Sequence, residues 1–449
     1  MDRFSTHEFI DRAKVLLRLG GPLIVNNLAV AGMQFADAVM AGSLGARELA
    51  AVAVGGSFWF LGFSLCLGIL MSISPIVARH YGAGRFDLIG RYTRQGMYLS
   101  VIMGVPIFLL GNFAADPLLE RFGIDPEFRD LTVGYVGAIV YGAPAIFIFL
   151  SLRFTTEGIG NMRPIMFTSV FALICNVFLN YVLMFGKFGA PAMGAVGCGY
   201  ASAISMWAVM FALSGYIMFS RYFKPFHIFS RVAPLRLDVF KEIIALGVPI
   251  AITVTAEAGL FSAVSILIGT RGTNITAAHQ IAISFSSTTF MIPLALSAAT
   301  TVLVGQQLGA GKARDAKISG WVGVILCAGF MTLSASFLLI FRDAVVGLYT
   351  DDVAVTTIAI SLLLMAALFQ IADGIQVGAA GALRGYKDTL VPMGVNMFSF
   401  WVLAFPLAYM AAIIYRAPAN YIWAGFVVGL TVAAILLTWR FHRLSKRTI

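Results

Sequence analysis

The chain has 449 residues, of which 59% are apolar and only 12% charged, and its 31 Lys and Arg outnumber its 21 Asp and Glu. A soluble protein cannot bury so much apolar surface in cores of ordinary size, and a disordered chain needs the opposite balance. The mean hydropathy of +0.89 therefore indicates a polytopic membrane protein. Because most of the positive charge lies in short gaps between apolar runs, nucleic-acid binding is the weaker interpretation.

Twelve apolar runs are long enough to cross a membrane, for which a helix needs about 20 predominantly apolar residues. We expect them near residues 17–42, 49–78, 92–115, 131–152, 164–186, 194–219, 243–269, 277–306, 318–341, 356–383, 392–415 and 419–439. The opening residues 1–16 mix Phe4, Phe9 and Ile10 with charged residues, so we expect either a short interfacial helix or a solvated tail there. The predicted fold class is an all-α integral membrane protein.

The basic residues between these runs predict the orientation of the chain, because Lys and Arg concentrate in short cytoplasmic connections. With both termini in the cytoplasm, seven of the 31 basic residues fall in outer connections and the other 24 in inner ones. The seven outer residues are Arg47, Arg121, Arg129, Lys187, Arg271, Arg342 and Arg416. We therefore expect both termini to be cytoplasmic.

The two halves of the chain are related by one constant shift in residue number, which we call the repeat shift. It aligns Gly20 with Gly247, Pro22 with Pro249, Gly42 with Gly269, Glu157 with Arg384, and the GAGR loop at 82–85 with the GAGK loop at 309–312. Six helices per half is an even number, so the repeat is parallel, as in transporters that rock two lobes about a central site. The predicted domains are an N-lobe at 1–219, a cytoplasmic linker at 220–242 and a C-lobe at 243–449.

Three acids lie alone inside predicted membrane helices: Asp37, Glu257 and Asp373. A charge at the bilayer centre costs about 2.5–3.5 kcal/mol on insertion scales. Apart from Arg18 and Arg94 in the first turns of two helices, no Lys or Arg is predicted within the twelve helices, so these acids are expected to be protonated, to bind a cation or to face a water-filled cavity. Carboxylates that alternate between such states are what a cation-coupled transporter needs, whereas packing alone is the alternative for any one of them.

Polar residues nearby give a weaker signal. Asn176 and Asn180 are one helical turn apart and share a face, and Gln280 lies in the eighth predicted helix. Their amides could ligate Na⁺ or join helices, which is the commoner use. The sequence shows no CxxC pair, no HExxH and no phosphate-binding loop of the GxxxxGK[ST] type. We therefore expect no cofactor, no catalytic residues and no ATPase module, so that an ion gradient or a partner supplies the energy.

Four stretches resemble the multidrug and toxic compound extrusion (MATE) family, in particular its bacterial NorM-type branch. They are AGMQFADAVMAG at 31–42, IVARHYGAGR at 76–85, GKFGAPAMGAVGCG at 186–199 and DGIQVGAAGALRGYKDT at 373–389. The resemblance covers essentially the whole chain. It implies two six-helix lobes forming a V-shaped, two-lobed transporter that exports cationic or amphiphilic drugs in exchange for Na⁺ or H⁺.

The resemblance also implies roles for individual residues. Glu257 and Asp373 match the cation-binding acids of the C-lobe, and would bind Na⁺ if the protein is sodium-coupled. Asp37 matches the acid of the N-lobe, with Asn176 and Asn180 beside it. The expected partners are small cationic or aromatic drugs and dyes together with membrane lipid, for a monomer in the bacterial inner membrane. The main alternative is a lipid-linked oligosaccharide flippase of similar architecture, which would be expected to place basic residues in its cavity.

Overall fold

The computed structural model describes residues 6–121, 124–229 and 234–448, nearly all of them helical. Within these residues, twelve helices are long and apolar enough to cross a membrane. We number them α1 Thr6–Leu44, α2 Ala46–Gly82, α3 Phe86–Phe113, α4 Pro126–Ile159, α5 Arg163–Phe185, α6 Gly194–Phe219, α7 Leu237–Gly269, α8 Thr273–Gly309, α9 Ala313–Gly347, α10 Val353–Gly385, α11 Leu390–Ile414 and α12 Ala419–Arg447. The predicted all-helical membrane fold with twelve spans is confirmed.

Helix α1 begins well before its predicted start near residue 17, because tertiary contacts satisfy its polar first turns. Arg12 forms an ion pair with Asp315 at 3.1 Å, and Leu16 is fully buried against α8 and α9. The expectation of a separate interfacial helix or solvated tail is therefore wrong for residues 6–16, which continue α1. The part of that expectation that concerned Phe4 lies outside the described residues.

Several of the long helices are interrupted. Helix α2 joins Ala46–Met71 to Ile73–Gly82 at Ser72, whose hydroxyl donates to the Ile69 carbonyl at 2.8 Å and to the Ile243 carbonyl at 3.0 Å. Helix α4 contains a short 3-10 turn, and α11 contains two π-helical segments. Two short helices, Ala115–Arg121 and the 3-10 helix Arg221–Phe226, lie between spans.

The helices follow the repeat shift that the sequence predicts. Applied to the first residues of four helices in the first half, it gives the first residues of their counterparts: Ala46 and Thr273, Phe86 and Ala313, Pro126 and Val353, Arg163 and Leu390. The caps repeat as well. Asp125 accepts a hydrogen bond from the backbone of Glu127 at 2.9 Å, and Asp352 accepts one from Ala354 at 2.8 Å. Both aspartates thus satisfy N–H groups that have no partner within their own helix.

The chain divides into two compact units, one of Val25–Ala251 and one of Met1–Ile24 with Ile252–Ile449. We call the first the N-unit and the second the C-unit. Their boundaries differ from the predicted lobes, which divided the chain in the connection at 220–242. Both divisions fall inside the first helix of a repeat, shortly after Pro22 and Pro249, and the repeat shift relates the two division points to each other.

The first turns of α1 therefore belong to the C-unit and those of α7 to the N-unit, although each helix ends in the other unit. Equivalent residues of the two repeats pack these first turns. In the N-unit, Ile243 of α7 is buried with Ile76 and Leu99, and in the C-unit, Leu16 of α1 is buried with Leu303. The glycines of these first turns allow close approach. Gly247 lies against the backbone of Ile69, and Gly20 against the side chain of Leu296.

Candidate functional site

The predicted acid of the first half, Asp37, lies half-buried in the N-unit beside α5 and α6. The Asn180 side-chain amide donates to its carboxylate at 2.5 Å, and the Asn176 amide and the Cys198 thiol also hydrogen-bond to it. Asn180 and Asn176 are linked to each other at 3.3 Å, and both are almost fully buried. The structure thus brings Asp37 together with both predicted asparagines, and adds the Cys198 thiol.

One oxygen in this cluster has no partner. The Asn180 side-chain carbonyl oxygen is buried and accepts no hydrogen bond from the described residues. A buried polar atom without a partner costs about 1–3 kcal/mol, so its position beside a carboxylate needs an explanation. Carboxylate and amide oxygens are the ligands that hard cations prefer in proteins, and such a cation would satisfy this atom.

The two acids of the second half, Glu257 on α7 and Asp373 on α10, lie close enough in the C-unit to interact electrostatically. Asp373 is only 5% exposed, and one of its carboxylate oxygens is buried with no hydrogen-bond partner in the described part of the chain. The carbonyl oxygen of the Gln376 side chain, one turn further along α10, is also buried and unpartnered. Sequence reasoning missed Gln376, although its spacing of three residues from Asp373 places it on the same helix face.

The prediction that the membrane helices contain no Lys or Arg beyond Arg18 and Arg94 is wrong. Helix α10 ends at Gly385 rather than 383, and therefore includes Arg384. Arg384 donates to the Ser297 hydroxyl at 2.8 Å, and its charge acts on Glu257. In the N-unit, Arg153 of α4 donates to the Asn26 side chain at 3.1 Å, and its charge acts on Glu157. Each arginine therefore finds a polar acceptor inside the protein, which allows the helix to continue beyond its apolar run.

Gln280, the third predicted amide, occupies a different place from the acids. It lines a cavity of about 410 Å³ near the start of α8 together with Tyr349, Thr350 and Asp352. Neither Glu257 nor Asp373 lines this cavity. The structure therefore does not group Gln280 with the C-unit acids.

In the described residues, no three His, Cys, Asp or Glu side chains lie close enough together to hold a metal ion. A Na⁺ ion at either acid site would therefore depend on amide or backbone oxygens in addition to the carboxylates. The one histidine that is buried within the described membrane helices, His279, has both ring nitrogens engaged by Ser265 at 2.8 Å and by the Trp423 indole at 3.1 Å. Its position is explained by packing between α7, α8 and α12.

Comparison with known proteins places the chain in a family. The family model described as MatE matches residues 22–182 and again 249–410. The chain is 38% identical to "Multidrug resistance protein PmpM" of Pseudomonas aeruginosa, over 97% of this chain and 92% of that protein. It is 38% identical to "Multidrug resistance protein MdtK" of Photorhabdus laumondii, over 98% and 97% of the two chains.

Solved structures agree with this assignment at the level of the fold. The eukaryotic MATE transporter AtDTX14 superposes with a TM-score of 0.86 at 21% identity, over 98% of this chain and 99% of that one. A MATE structure in complex with MaD3S superposes with a TM-score of 0.89 at 20% identity, over 97% of each chain. With two matched halves, twelve membrane helices and the shared fold, the chain belongs to the MATE family, whose members are multi-pass membrane transporters and not enzymes.

Proposed function

We propose that this protein is a cation-coupled antiporter that exports cationic or amphiphilic drugs across the bacterial inner membrane by alternating access, with Na⁺ or H⁺ as the coupling ion. The observation that carries the proposal is the pair of unpartnered, buried oxygens of Asp373 and Gln376 on one face of α10. Burying such acceptors is costly unless a proton or cation satisfies them during part of the cycle. The names of the relatives, which are multidrug resistance proteins, support drugs as the substrate.

Each acid has a distinct part in the proposed cycle. Asp373, with Glu257 close enough to interact with it, takes up the coupling ion from outside, and the charge that is neutralised there lowers the affinity of the protein for a cationic drug. Asp37 takes up a coupling ion in the N-unit, with Asn176 and Asn180 as its amide partners. Each elementary charge that moves inward gains about 2.3 kcal/mol per 100 mV of membrane potential, and this adds to the energy of the ion concentration gradient.

The orientation is part of the proposal. The excess of basic residues in one set of connections supports cytoplasmic termini, and the bacterial relatives support the inner membrane. We propose that the protein acts as a monomer, because each unit carries its own acids.

The test is transport by the purified full-length protein in proteoliposomes, with ethidium or norfloxacin as the substrate. A Na⁺ gradient and a pH gradient are imposed separately, and Asp373→Asn is compared with the wild type. We expect one of the gradients to drive drug movement, and we expect Asp373→Asn to abolish it while the thermal unfolding midpoint changes little.

Two results would overturn the proposal. Normal gradient-driven efflux by Asp373→Asn would remove that residue from the coupling mechanism. If folded wild-type protein moved no drug under either gradient, a lipid-linked oligosaccharide flippase would become the better interpretation. Movement of a labelled lipid-linked pyrophosphate in the same vesicles would then test that alternative directly.

A further inference from the structure

We propose that the inner ends of α9 and α12 form a binding site for the headgroup of an anionic phospholipid. The inference relies on the proposed orientation of the chain, which places these helix ends at the cytoplasmic leaflet, but not on drug transport. The site, which we call the basic–aromatic cluster, consists of Lys317, Trp321, Trp439, His442, Arg443 and Lys446.

The geometry of α12 places three of these residues on one face. Trp439, Arg443 and Lys446 are spaced at four and three residues, so their side chains follow one another along the helix. The Arg443 guanidinium lies over the Trp439 ring at 4.0 Å from its centre. Trp439 is 51% exposed, and Arg443 and Lys446 are exposed as well. This arrangement presents an indole at the depth of the lipid headgroups and two cations next to it.

Helix α9 supplies the other side of the site. The Trp321 ring meets the His442 ring edge-on at 6.1 Å and packs against Phe441 at 5.4 Å. Lys317, one turn before Trp321, acts electrostatically on His442, as does Lys446 of α12. Cations from both helices therefore lie near His442, next to the fully buried Phe441.

Two acids near the cluster are engaged by cations outside it. Asp388 forms an ion pair with Arg440 at 2.7 Å, and Asp315 forms one with Arg12 at 3.1 Å. Residues 419–449 contain no Asp or Glu. Like charges held together on two helix ends repel one another, so an anion between them is stabilising. Basic pockets between membrane helices on the cytoplasmic side are suited to anionic headgroups, and exposed Trp favours a ligand that also reaches into the acyl region.

The test measures lipid binding without transport, so its result is independent of the proposed antiport. The thermal unfolding midpoint of the full-length protein in mild detergent is followed during titration with phosphatidylglycerol, cardiolipin, phosphatidylcholine or inorganic phosphate. The double variant Arg443→Gln/Lys446→Gln is compared with Arg85→Gln/Lys312→Gln, which removes two exposed cations from the equivalent inner loops of the two repeats.

We expect the two anionic lipids to raise the midpoint of the wild type and of the loop variant, and phosphatidylcholine to have little effect. The cluster variant should need roughly 30-fold more anionic lipid for half the response, since each Lys or Arg near an anionic surface contributes about a fivefold effect. Equal responses to phosphatidylglycerol and phosphatidylcholine, or an unchanged affinity in the cluster variant, would overturn the proposal. An equal response to inorganic phosphate would show a site for free anions instead of lipid.

Discussion

Glu157 of α4 and Arg384 of α10 occupy equivalent positions in the two repeats, and each is hydrogen-bonded to a serine of the second helix of its own repeat, although their charges are opposite. Ser74 donates to Glu157 at 3.0 Å, and Arg384 donates to Ser297 at 2.8 Å. Duplication has therefore kept the polar contact and reversed the charge.

Because of this reversal, the acids and arginines discussed here give the two units the same formal charge. The N-unit holds Asp37 and Glu157 with Arg153, and the C-unit holds two acids with Arg384. When all are ionised, each set of three residues sums to a formal charge of −1. In the C-unit the two acids interact with each other and Arg384 acts on Glu257, so one monovalent cation or one proton would neutralise that group. In the N-unit Arg153 acts on Glu157, whereas Asp37 hydrogen-bonds to the amides of Asn176 and Asn180.

Replacing Arg384 with Gln should change how tightly the C-unit binds the proposed coupling cation. Without the positive charge beside Glu257, the acids attract a cation more strongly and release it more slowly. We expect the half-saturating outer concentration of the coupling ion and the maximal efflux rate to fall by about tenfold each, which corresponds to ~1.4 kcal/mol. Drug efflux from proteoliposomes, measured at a series of ion concentrations, provides both quantities.

Arg384→Lys is the matched control, because it keeps the charge but not the planar donor geometry. Its half-saturating concentration should stay within about threefold of the wild type. An Arg384→Gln variant that is folded and has an unchanged half-saturating concentration would show that this charge does not act on the cation site.

Removing the amide of Asn180 should weaken the N-unit site. The Asn180→Ala change deletes the 2.5 Å hydrogen bond to Asp37 together with the unpartnered carbonyl oxygen beside it. A hydrogen bond to a charged group contributes about 1.5–3 kcal/mol, so we expect at least a tenfold loss in gradient-driven efflux. Cys175→Ala on the same helix is the control and should transport normally. Wild-type efflux by Asn180→Ala would contradict a functional role for this amide.

Two equivalent glycines should differ in their tolerance of a methyl group. In Gly247→Ala the new Cβ would contact the Ile69 carbonyl and lie 2.7 Å from the Ile69 Cα, which are backbone atoms that cannot rotate away. In Gly20→Ala it would lie 3.0 Å from the end of the Leu296 side chain, which can. We expect the free energy of unfolding to fall by about 1–3 kcal/mol for Gly247→Ala and by less than about 1 kcal/mol for Gly20→Ala.

Thermal unfolding in detergent compares these two variants with Gly215→Ala, whose Cβ meets nothing within 4 Å. Equal midpoints for Gly247→Ala and Gly20→Ala would mean that α7 and α2 can separate at Ile69 without cost. That result would argue against tight packing of the first turns of α7 in the N-unit.

Features that depend on residues close together in the sequence could be predicted. The lengths of the apolar runs predicted the twelve helices. The repeat shift, read from matching residues in the two halves, predicted that the halves have the same order of helices. The spacing of four residues put Asn176 and Asn180 on one helix face, as the structure has them. Their place beside Asp37 was implied by the family resemblance and not by the spacing.

Features that depend on distant partners could not be predicted. The extension of α1 to Thr6 depends on Asp315, which lies in the other half of the sequence from its partner Arg12. Arg384 lies within a membrane helix because its guanidinium donates a hydrogen bond to Ser297 and interacts electrostatically with Glu257. Periodicity indicates which face of a helix a residue occupies but not which cavity it lines. It therefore could not show that Gln280 lies apart from Glu257 and Asp373.

The division of α1 and α7 between units has a consequence for how such a chain could arise. A single ancestral half, consisting of six helices, would lack the first turns that complete its own unit and would expose the surface that receives them. Two copies could satisfy each other by exchanging these segments, as a domain-swapped dimer does. Fusion of the two genes would then preserve an exchange that already existed, and a chain cut between α6 and α7 would yield two fragments that each require the other.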